Sequence, residues 1–347
     1  MNKKEVAEIK KLFKPEMCNL TRICGCYVDS EKQKVSETKE AFLSIPEEEM
    51  FKYFDVFKKN LSGKIGKNLL NLKYETSTYL PGQDLLLGLK DSKLTDDSLV
   101  EEFFDKIISS YYYVGNYYII LAHGIYDIPG KASDGTTMHD ASDEVYDYLI
   151  CSICSVDLAK PGLSYQTENS RFEERTRDWV MGMPMHGFLW PSFSDRTENI
   201  HEALLYTKKT ADIQEDFITN SLGTMIPQTS DEQEQAFKDL FSSAKNVSFE
   251  QIQSIREEIS ELEEAQDTPV ELDPVSLKKI FEKNEITLSE PPKSTLLSSN
   301  ISGSTKVKTV AATLTTDEPL DIKTIDGKKY IILPVEGAEI NGIPVNQ

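Results

Sequence analysis

Apolar residues recur at helical spacing in several stretches of the chain, and polar residues fill the positions between them. Val6, Ile9, Leu12 and Phe13 predict a short amphipathic helix near the start. The same periodicity predicts a helix that begins with a capping box at Ser44 and Glu47, a helix from about residue 95, and a helical stretch from about residue 197 to Gly223. These stretches account for the helical part of the first two-thirds of the chain.

Runs of β-branched and aromatic residues predict strands between these helices. The clearest are "RICGCYVD", "NYYIILAHGIYD" and "VYDYLICSICSVDL". We expect the last two to be neighbours in one antiparallel sheet, because only a polar loop separates them. "GFLWPSF" predicts a further strand, whose Pro191 favours an edge or an end.

The pattern changes after residue 227. Capping-box pairs at Ser230 with Gln233 and at Ser248 with Gln251 predict two helices, and Asp273 before Pro274 predicts a third. A segment rich in Pro, Ser and Gly follows, and the chain ends in predicted β structure with turns at 326–327 and 341–342.

These elements predict an α+β protein with a mixed or antiparallel sheet and flanking helices. The predicted organisation is an N-terminal domain at 1–225, a helical segment at 226–286, a linker at 287–306 and a small C-terminal β unit at 307–347. We expect the part of the linker from Pro291 to Ser304 to be mobile and sensitive to proteases.

Composition restricts the classes of protein to consider. The chain has 347 residues and a formal net charge of −20, which lowers the expectation of generic nucleic-acid binding. No apolar run approaches the roughly 18 residues of a membrane span, and the first residues lack the apolar core of a secretory signal. We therefore expect a cytoplasmic protein that does not enter membranes and keeps its thiols reduced.

The five cysteines raise the question of a metal site. Cys151 and Cys154 have the C-x2-C spacing of zinc knuckles, but residues three apart on a strand point to opposite faces. Cys24 and Cys26 share a face, although C-x-C alone is a weak signal. Buried thiols are the favoured interpretation, with a metal site as the alternative, and no cofactor is predicted.

Two histidines suggest a second kind of metal site, formed by imidazole and carboxylate groups. His123 lies in a predicted strand, and His139 lies in an acidic loop with Asp134, Asp140, Asp143 and Glu144. Imidazole and carboxylates together suit a divalent transition metal, although no established ligand spacing is present. A solvated loop is the favoured interpretation, and a metal-dependent hydrolase is the alternative. The chain also shows no phosphate-binding loop and no acyl-transfer triad pattern.

One stretch of the sequence is basic, although the chain as a whole is acidic. Five lysines between positions 52 and 67 stand against the single acid Asp55, and they are the predicted nucleic-acid contacts: Lys52, Lys58, Lys59, Lys64 and Lys67. The alternative is a helix end whose lysines complement the helix dipole. A second charged stretch, "RFEERTRDW", is typical of a salt-bridged surface or, failing that, of an interface.

The segments "RICGCYVD", "SIPEEEMFKYFDVF", "GKIGKNLLN", "DIPGKASDG" and "LICSICSVDLAKPGLSY" resemble a family of bacterial proteins known as domain of unknown function 4317. That resemblance implies no activity, cofactor or functional residue. The order of elements is also similar to nucleoid-associated proteins of the 37-kilodalton type, through the paired strands, "DFITNSLGT" and "SDEQEQAFKDLF". This similarity of architecture implies a partner on the nucleoid, either DNA or proteins bound to it.

The leading hypothesis is therefore a cytoplasmic, non-enzymatic protein that acts on nucleoid DNA or on its bound proteins. The metal-dependent hydrolase is the second hypothesis, and an acidic protein-interaction scaffold is the third. Self-association into a homo-oligomer is open at this point.

Overall fold

The computed structural model describes residues 1–74, 81–131, 137–138, 144–210, 212–225, 227–244, 247–266, 269–301, 305–308, 313–316, 321–332, 339–340 and 343–344. The chain divides into two compact units, Met1–Gln233 and Glu234–Gln347.

The first unit alternates helices and strands as its apolar pattern changes period. Its elements in chain order are α1 (Lys3–Lys10), β1 (Leu20–Val28), β2 (Lys34–Ala41), α2 (Glu47–Asn60), β3 (Leu69–Lys73), α3 (Pro81–Asp91), α4 (Asp97–Ser110), β4 (Asn116–Ile128), β5 (Gly130–Lys131), β6 (Thr137–Met138), β7 (Glu144–Leu158), β8 (Leu163–Gln166), β9 (Arg171–Glu174), β10 (Trp179–Trp190), β11 (Ser192–Ser194), β12 (Thr197–Asn199), β13 (Glu202–Thr207) and a π-helical segment, Phe217–Leu222.

Seven of these strands form one antiparallel sheet in the order β2-β1-β4-β7-β10-β13-β3. β4 and β7 are direct neighbours, with His123 opposite Leu149 and Leu121 opposite Cys151, so the predicted pairing is confirmed. The predicted α+β class with an antiparallel sheet and flanking helices is also confirmed.

Alternating side chains place an apolar core on each face of the sheet. On one face Leu121, Cys151 and Phe188 belong to the same core as α3, α4 and the π-helical segment. On the other face Ile120 and Ile150 belong to the same core as α1 and α2. The sheet is therefore covered by helices on both sides, which explains why its central strands are almost continuously apolar.

The predicted helical stretch from about residue 197 is wrong over its first part. Residues 197–199 and 202–207 form β12 and β13, and β13 pairs with β10 and β3. Its run of Ala203, Leu204 and Leu205 consists of good helix formers, but a short apolar run is equally compatible with a strand that is buried on both faces. The end of the stretch is confirmed, because Gly223 has φ 70° and caps the π-helical segment.

Helix starts were predicted with mixed accuracy. Ser44 does not cap α2, because its hydroxyl donates to the carbonyl of Ala41 and the helix begins at Glu47 after Pro46. The box predicted at Ser230 lies one residue earlier, where Thr229 and Glu232 exchange hydrogen bonds.

The second unit contains the rest of the chain after residue 233. Its elements are α6 (Phe249–Gln266), β14 (Glu271–Leu272), α7 (Pro274–Lys283), β15 (Leu296–Leu297), α8 (Ser298–Ile301), β16 (Thr305–Lys308), β17 (Thr313–Thr316), β18 (Asp321–Ile325), β19 (Lys328–Ile332), β20 (Glu339–Ile340) and β21 (Ile343–Pro344), while α5 (Ser230–Ser243) spans the boundary. The capping box of Ser248 with Gln251 and the Asp273 cap are confirmed.

Part of the predicted linker has regular structure. β15 pairs with β14, and Leu296 and Ile301 are buried in the core of the second unit. The turn at Asp326 and Gly327 is confirmed by positive φ angles between β18 and β19, whereas the turn at 341–342 lies outside the described residues. Among the described residues, no helix has the length and apolar character required to cross a membrane.

Candidate functional site

The predicted lysines of α2 lie on its solvent side. Lys52 and Lys59 are exposed, and Lys58 is half-buried. Seven residues of helix make almost two full turns, so Lys52 and Lys59 share one face about 10.5 Å apart along the axis. α2 thus presents a short row of positive charge beside its buried face.

The structure adds Lys10 to this row. The ammonium of Lys10 at the end of α1 donates to the hydroxyl of Ser62 at 2.6 Å, and that hydroxyl donates to the carbonyl of Lys58. Burial lowers the pKa of Lys10, and the positive charges of Lys59 and Lys58 lower it further. The ends of α1 and α2 therefore bring like charges close enough to repel each other.

The turn after α2 extends the same surface. Lys64 and Lys67 lie in a turn in which the amide of Lys67 donates to the carbonyl of Lys64. Asn68 fastens this turn to the end of β13, because its amide nitrogen donates to the carbonyls of Thr207 and Lys208. The exposed Lys208 is thereby added beside the turn.

We call these seven residues the lysine surface: Lys10, Lys52, Lys58, Lys59, Lys64, Lys67 and Lys208. None of them forms an ion pair with a described carboxylate. Some lysines of the same unit do so, as in the pairs Lys34–Asp105 at 2.7 Å and Lys90–Glu198 at 2.6 Å, whereas others, such as Lys32, Lys93 and Lys160, do not. What distinguishes the lysine surface is that several unpaired lysines from α1, α2, the following turn and the end of β13 lie near one another on a strongly acidic chain.

His123 occupies a different place, inside the sheet on the face of α3 and α4. It is fully buried, and both of its ring nitrogens have partners. Nδ1 lies 2.6 Å from the hydroxyl of Thr21, and Nε2 lies 2.6 Å from a carboxylate oxygen of Asp147. The three residues belong to β1, β4 and β7 and form a hydroxyl–imidazole–carboxylate chain.

A β-bulge produces this arrangement. Leu20 pairs with Gly124 and Arg22 pairs with His123, so Thr21 is an extra residue in β1. A bulge re-aims side chains, and here it turns the Thr21 hydroxyl towards His123. Thr21 is itself exposed, so the chain runs from solvent into the buried imidazole.

The carboxylate fixes the tautomer of the neutral imidazole. Asp147 only accepts hydrogen bonds when ionised, so Nε2 carries the proton and Nδ1 accepts from Thr21. This is the orientation that a general base needs towards a hydroxyl nucleophile. Asp147 is also held through its backbone amide, which donates to Glu198, the ion-pair partner of Lys90.

The described residues provide no ligand set for the metal site that was suggested for His123 and His139. His139, Asp134, Asp140 and Asp143 lie outside them. Both nitrogens of His123 are engaged, and the part of the chain that the structure describes contains no group of three His, Cys, Asp or Glu side chains with metal-binding geometry.

The cysteines are separated rather than gathered. Cys151 belongs to the core on the α3 and α4 face and Cys154 to the core on the opposite face, so the prediction from their spacing is confirmed. Burial raises the pKa of Cys24 to about 11, of Cys26 to about 12 and of Cys154 to about 12. All five thiols are free and form no disulfide.

Comparison with known proteins gives one match. A family model described as "Domain of unknown function (DUF4317)" covers residues 1–343. No curated protein and no solved structure matches the chain.

Proposed function

This chain belongs to the DUF4317 family, and because that description carries no activity, we propose from the geometry alone that the protein binds duplex DNA through the lysine surface. The observation that carries the proposal is that seven lysines from α1, α2, the following turn and the end of β13 lie together without an ion pair to a described carboxylate. The proposal includes the cytoplasm as the location and the nucleoid as the target.

The helix dipole accounts for only part of this surface. Lys58 and Lys59 lie in the last turn of α2, and Lys10 in that of α1, where a positive charge complements the exposed carbonyls. Lys52, Lys64 and Lys67 occupy no such position. The separation of Lys52 from Lys59 corresponds to roughly three phosphates along one DNA strand, each about 3.4 Å further along the axis.

The negative net charge of the chain limits the strength of such binding. At physiological ionic strength charges beyond roughly 8 Å are screened, so the remaining acidic surface weakens approach without preventing local contact. We expect micromolar or weaker affinity for non-specific duplex.

The first prediction is that the quadruple variant Lys58→Gln, Lys59→Gln, Lys64→Gln and Lys67→Gln binds duplex DNA more weakly and with a flatter salt dependence. Each lysine that neutralises a phosphate contributes about 0.9 to the slope of log affinity against log salt, so four contacts contribute about 3.6. Fluorescence anisotropy of a labelled duplex at several salt concentrations measures both quantities.

The matched control removes four lysines elsewhere: Lys32→Gln, Lys93→Gln, Lys160→Gln and Lys279→Gln. All four are exposed, and the net charge changes by the same amount. If both variants lose the same affinity, net charge rather than the lysine surface determines binding. If the wild type shows no binding even at low salt, the DNA proposal fails and an acidic interaction scaffold replaces it.

We propose hydrolysis as a second candidate function, because the Thr21–His123–Asp147 chain has the order of a nucleophile, a base and an orienting carboxylate. The Thr21 oxygen would attack an ester carbonyl while its proton passes to Nδ1 of His123 and then to the leaving alcohol. Water would release the acid from Thr21 in a second step of the same kind.

The second prediction is that Thr21→Ala reduces 4-nitrophenyl acetate hydrolysis by the protein at least tenfold, since general base catalysis contributes roughly 10²–10⁴. Thr21→Ser should retain activity, and intact-mass spectrometry should show an acetyl adduct only when residue 21 has a hydroxyl. Thr38→Ala on β2 is the control, because Thr38 is an exposed strand threonine that is hydrogen-bonded to Tyr118. Equal rates for wild type and Thr21→Ala would reject this candidate.

A further inference from the structure

A two-stranded arm extends from the end of the main sheet. The pairing of β4 with β7 ends at Asn116 and Val156, whereas β7 and β10 continue to pair up to Leu158 and Trp179. The same hairpin continues through backbone hydrogen bonds between Ala159 and Asp178 and through the short strands β8 and β9. We call residues 157–180 the hairpin arm.

The arm exposes an unusual amount of apolar surface. Five of its large apolar side chains are about half exposed or more: Leu163 at 72%, Tyr165 at 53%, Phe172 at 67%, Trp179 at 56% and Val180 at 49%. Tyr165 and Phe172 are cross-strand partners whose rings meet edge to face at 5.5 Å. Leu163 and Tyr165 share one face of β8, and Phe172 lies opposite Tyr165, whereas Trp179 and Val180 are neighbours on β10 and point to opposite faces. An exposed apolar patch such as the one around Tyr165 and Phe172 marks an interaction site.

The charges of the arm differ from those of the chain. The arm has a net charge of −1, whereas the whole chain has −20. Its charged residues are four positive ones, Lys160, Arg171, Arg175 and Arg177, and five negative ones, Asp157, Glu168, Glu173, Glu174 and Asp178. Half of the six arginines and one of the two tryptophans of the chain lie here. Arginine and tryptophan are the residue types most enriched at the centres of protein interfaces.

We propose that the hairpin arm is a self-association surface on which the arm of a second copy of this chain docks in a two-fold arrangement. A two-fold interface uses the same patch on both copies, so the patch has to be complementary to itself. The arm meets this condition, because it carries apolar side chains together with nearly equal numbers of both charges. A basic or an acidic partner would instead require a surface of one sign.

Three charges of the arm are available for such pairing. Arg175 and the exposed Glu174 form no ion pair with a described residue, and the Nε of Arg177 donates only to the carbonyl of Ala159 at 2.7 Å. Glu173 is instead paired with Arg171 of the same arm, so opposite a rotated copy Arg175 and Arg177 would face Glu174 first. Because the net charge of the arm is close to zero, two arms can approach each other, whereas the strongly acidic remainders of two chains repel each other.

The exposed aromatic area suits a small interface. An aromatic side chain contributes roughly 150–250 Å², so Tyr165, Phe172 and Trp179, each more than half exposed, offer roughly 350 Å² per copy. Two copies then bury about 700 Å² of aromatic surface, and the aliphatic and polar atoms around it have to supply the rest of the roughly 1,000 Å² that a specific interface needs. The dimer should therefore dissociate on dilution rather than be permanent.

Sedimentation velocity of the full-length protein between about 1 and 200 µM tests the proposal. We expect the mass to rise from one chain to two over this range. The variant Leu163→Ser, Phe172→Ser and Trp179→Ser should remain a monomer throughout. The control variant Leu43→Ser, Tyr112→Ser and Val114→Ser removes equally exposed apolar side chains outside the arm and should dimerise like the wild type.

A charge exchange tests whether arm meets arm. Arg175→Glu with Arg177→Glu, and separately Glu173→Arg with Glu174→Arg, should each weaken self-association at least tenfold. An equal mixture of the two charge variants should dimerise again, because opposite charges then face each other.

Three results would overturn the proposal. These are a wild type that stays monomeric at 200 µM, an arm variant that dimerises like the wild type, and charge variants that are not restored on mixing. Flotation with phosphatidylcholine vesicles identifies one alternative occupant. A monomeric wild type that binds such vesicles and loses this binding in the arm variant would make the arm a membrane contact.

Discussion

A single extra residue in β1 decides which side chains meet in the main sheet. Thr21 contacts His123 only because the register shifts between Leu20 and Arg22. The sequence identified His123 as chemically interesting, but its partner Thr21 is about a hundred residues away. The pairing register of distant strands is not encoded in local periodicity, so the missing members of the chain could not be predicted.

The buried thiols give a prediction at the same scale. A raised pKa means less thiolate at a given pH, and the thiolate is the reactive form. Cys24 and Cys26, with pKa values raised to about 11 and about 12 mainly by burial, should react very slowly with iodoacetamide at pH 8 and faster as the pH approaches 11. The half-buried Cys18 should be modified first.

Peptide mapping by mass spectrometry over time measures this order, and protein unfolded in urea provides the reference in which all five thiols react alike. Rapid modification of Cys24 or Cys26 in the folded protein would contradict the burial that the structure shows. The sequence correctly favoured buried thiols for the four cysteines that lie in strands, whereas Cys18 is only half-buried.

Among the secondary-structure elements, sequence motifs predicted correctly the features that short-range contacts stabilise, such as helix caps. The caps at Ser248 and Asp273 are made by residues three or fewer positions apart, and both were predicted correctly. β13 was mistaken for helix, because its strand conformation is stabilised by β10 and β3, which lie elsewhere in the sequence. Tertiary pairing therefore overrides the helix propensity of its alanine and leucines.

The close contact between α2 and the sheet predicts that Gly187 of β10 cannot be replaced by a larger residue without a loss of stability. A Cβ at Gly187 would lie 2.3 Å from the amide nitrogen of Asn60 and 2.4 Å from the carbonyl oxygen of Cys151. Asn60 is buried at the end of α2, where it donates to Cys151 and Ser152. Gly187→Ala should therefore lower the free energy of unfolding by about 1–3 kcal/mol.

Urea denaturation provides the measurement, and Gly162→Ala in the hairpin arm is the matched control, because a Cβ there meets nothing within 4 Å. Equal midpoints for the two variants would show that α2 can move away from the sheet at no cost. That outcome would also mean that the Asn60 hydrogen bonds do not fix the position of the helix.

For the whole molecule, composition indicated the class of protein but not the distribution of its charge. The net charge of −20 argued against nucleic acid, whereas the fold collects lysines from residues 10, 52–67 and 208 on one surface. Only the central group was visible as a cluster in the sequence. The fold class could be predicted, because the periodicities of helix and strand are local. The arrangement of the lysine surface and of the Thr21–His123–Asp147 chain could not be predicted, because it depends on contacts between distant parts of the sequence.

The order of strands in the main sheet has a consequence for synthesis on the ribosome. Neighbours β1, β4, β7 and β10 emerge in the order in which they pair, but β3 takes its place only beside β13. The chain must grow from residue 73 to residue 207 first, which takes roughly 7–27 s at 5–20 residues per second. During that interval Leu69, Leu70 and Leu72 have no strand to pair with, so the nascent chain offers a chaperone an apolar segment that the finished protein conceals.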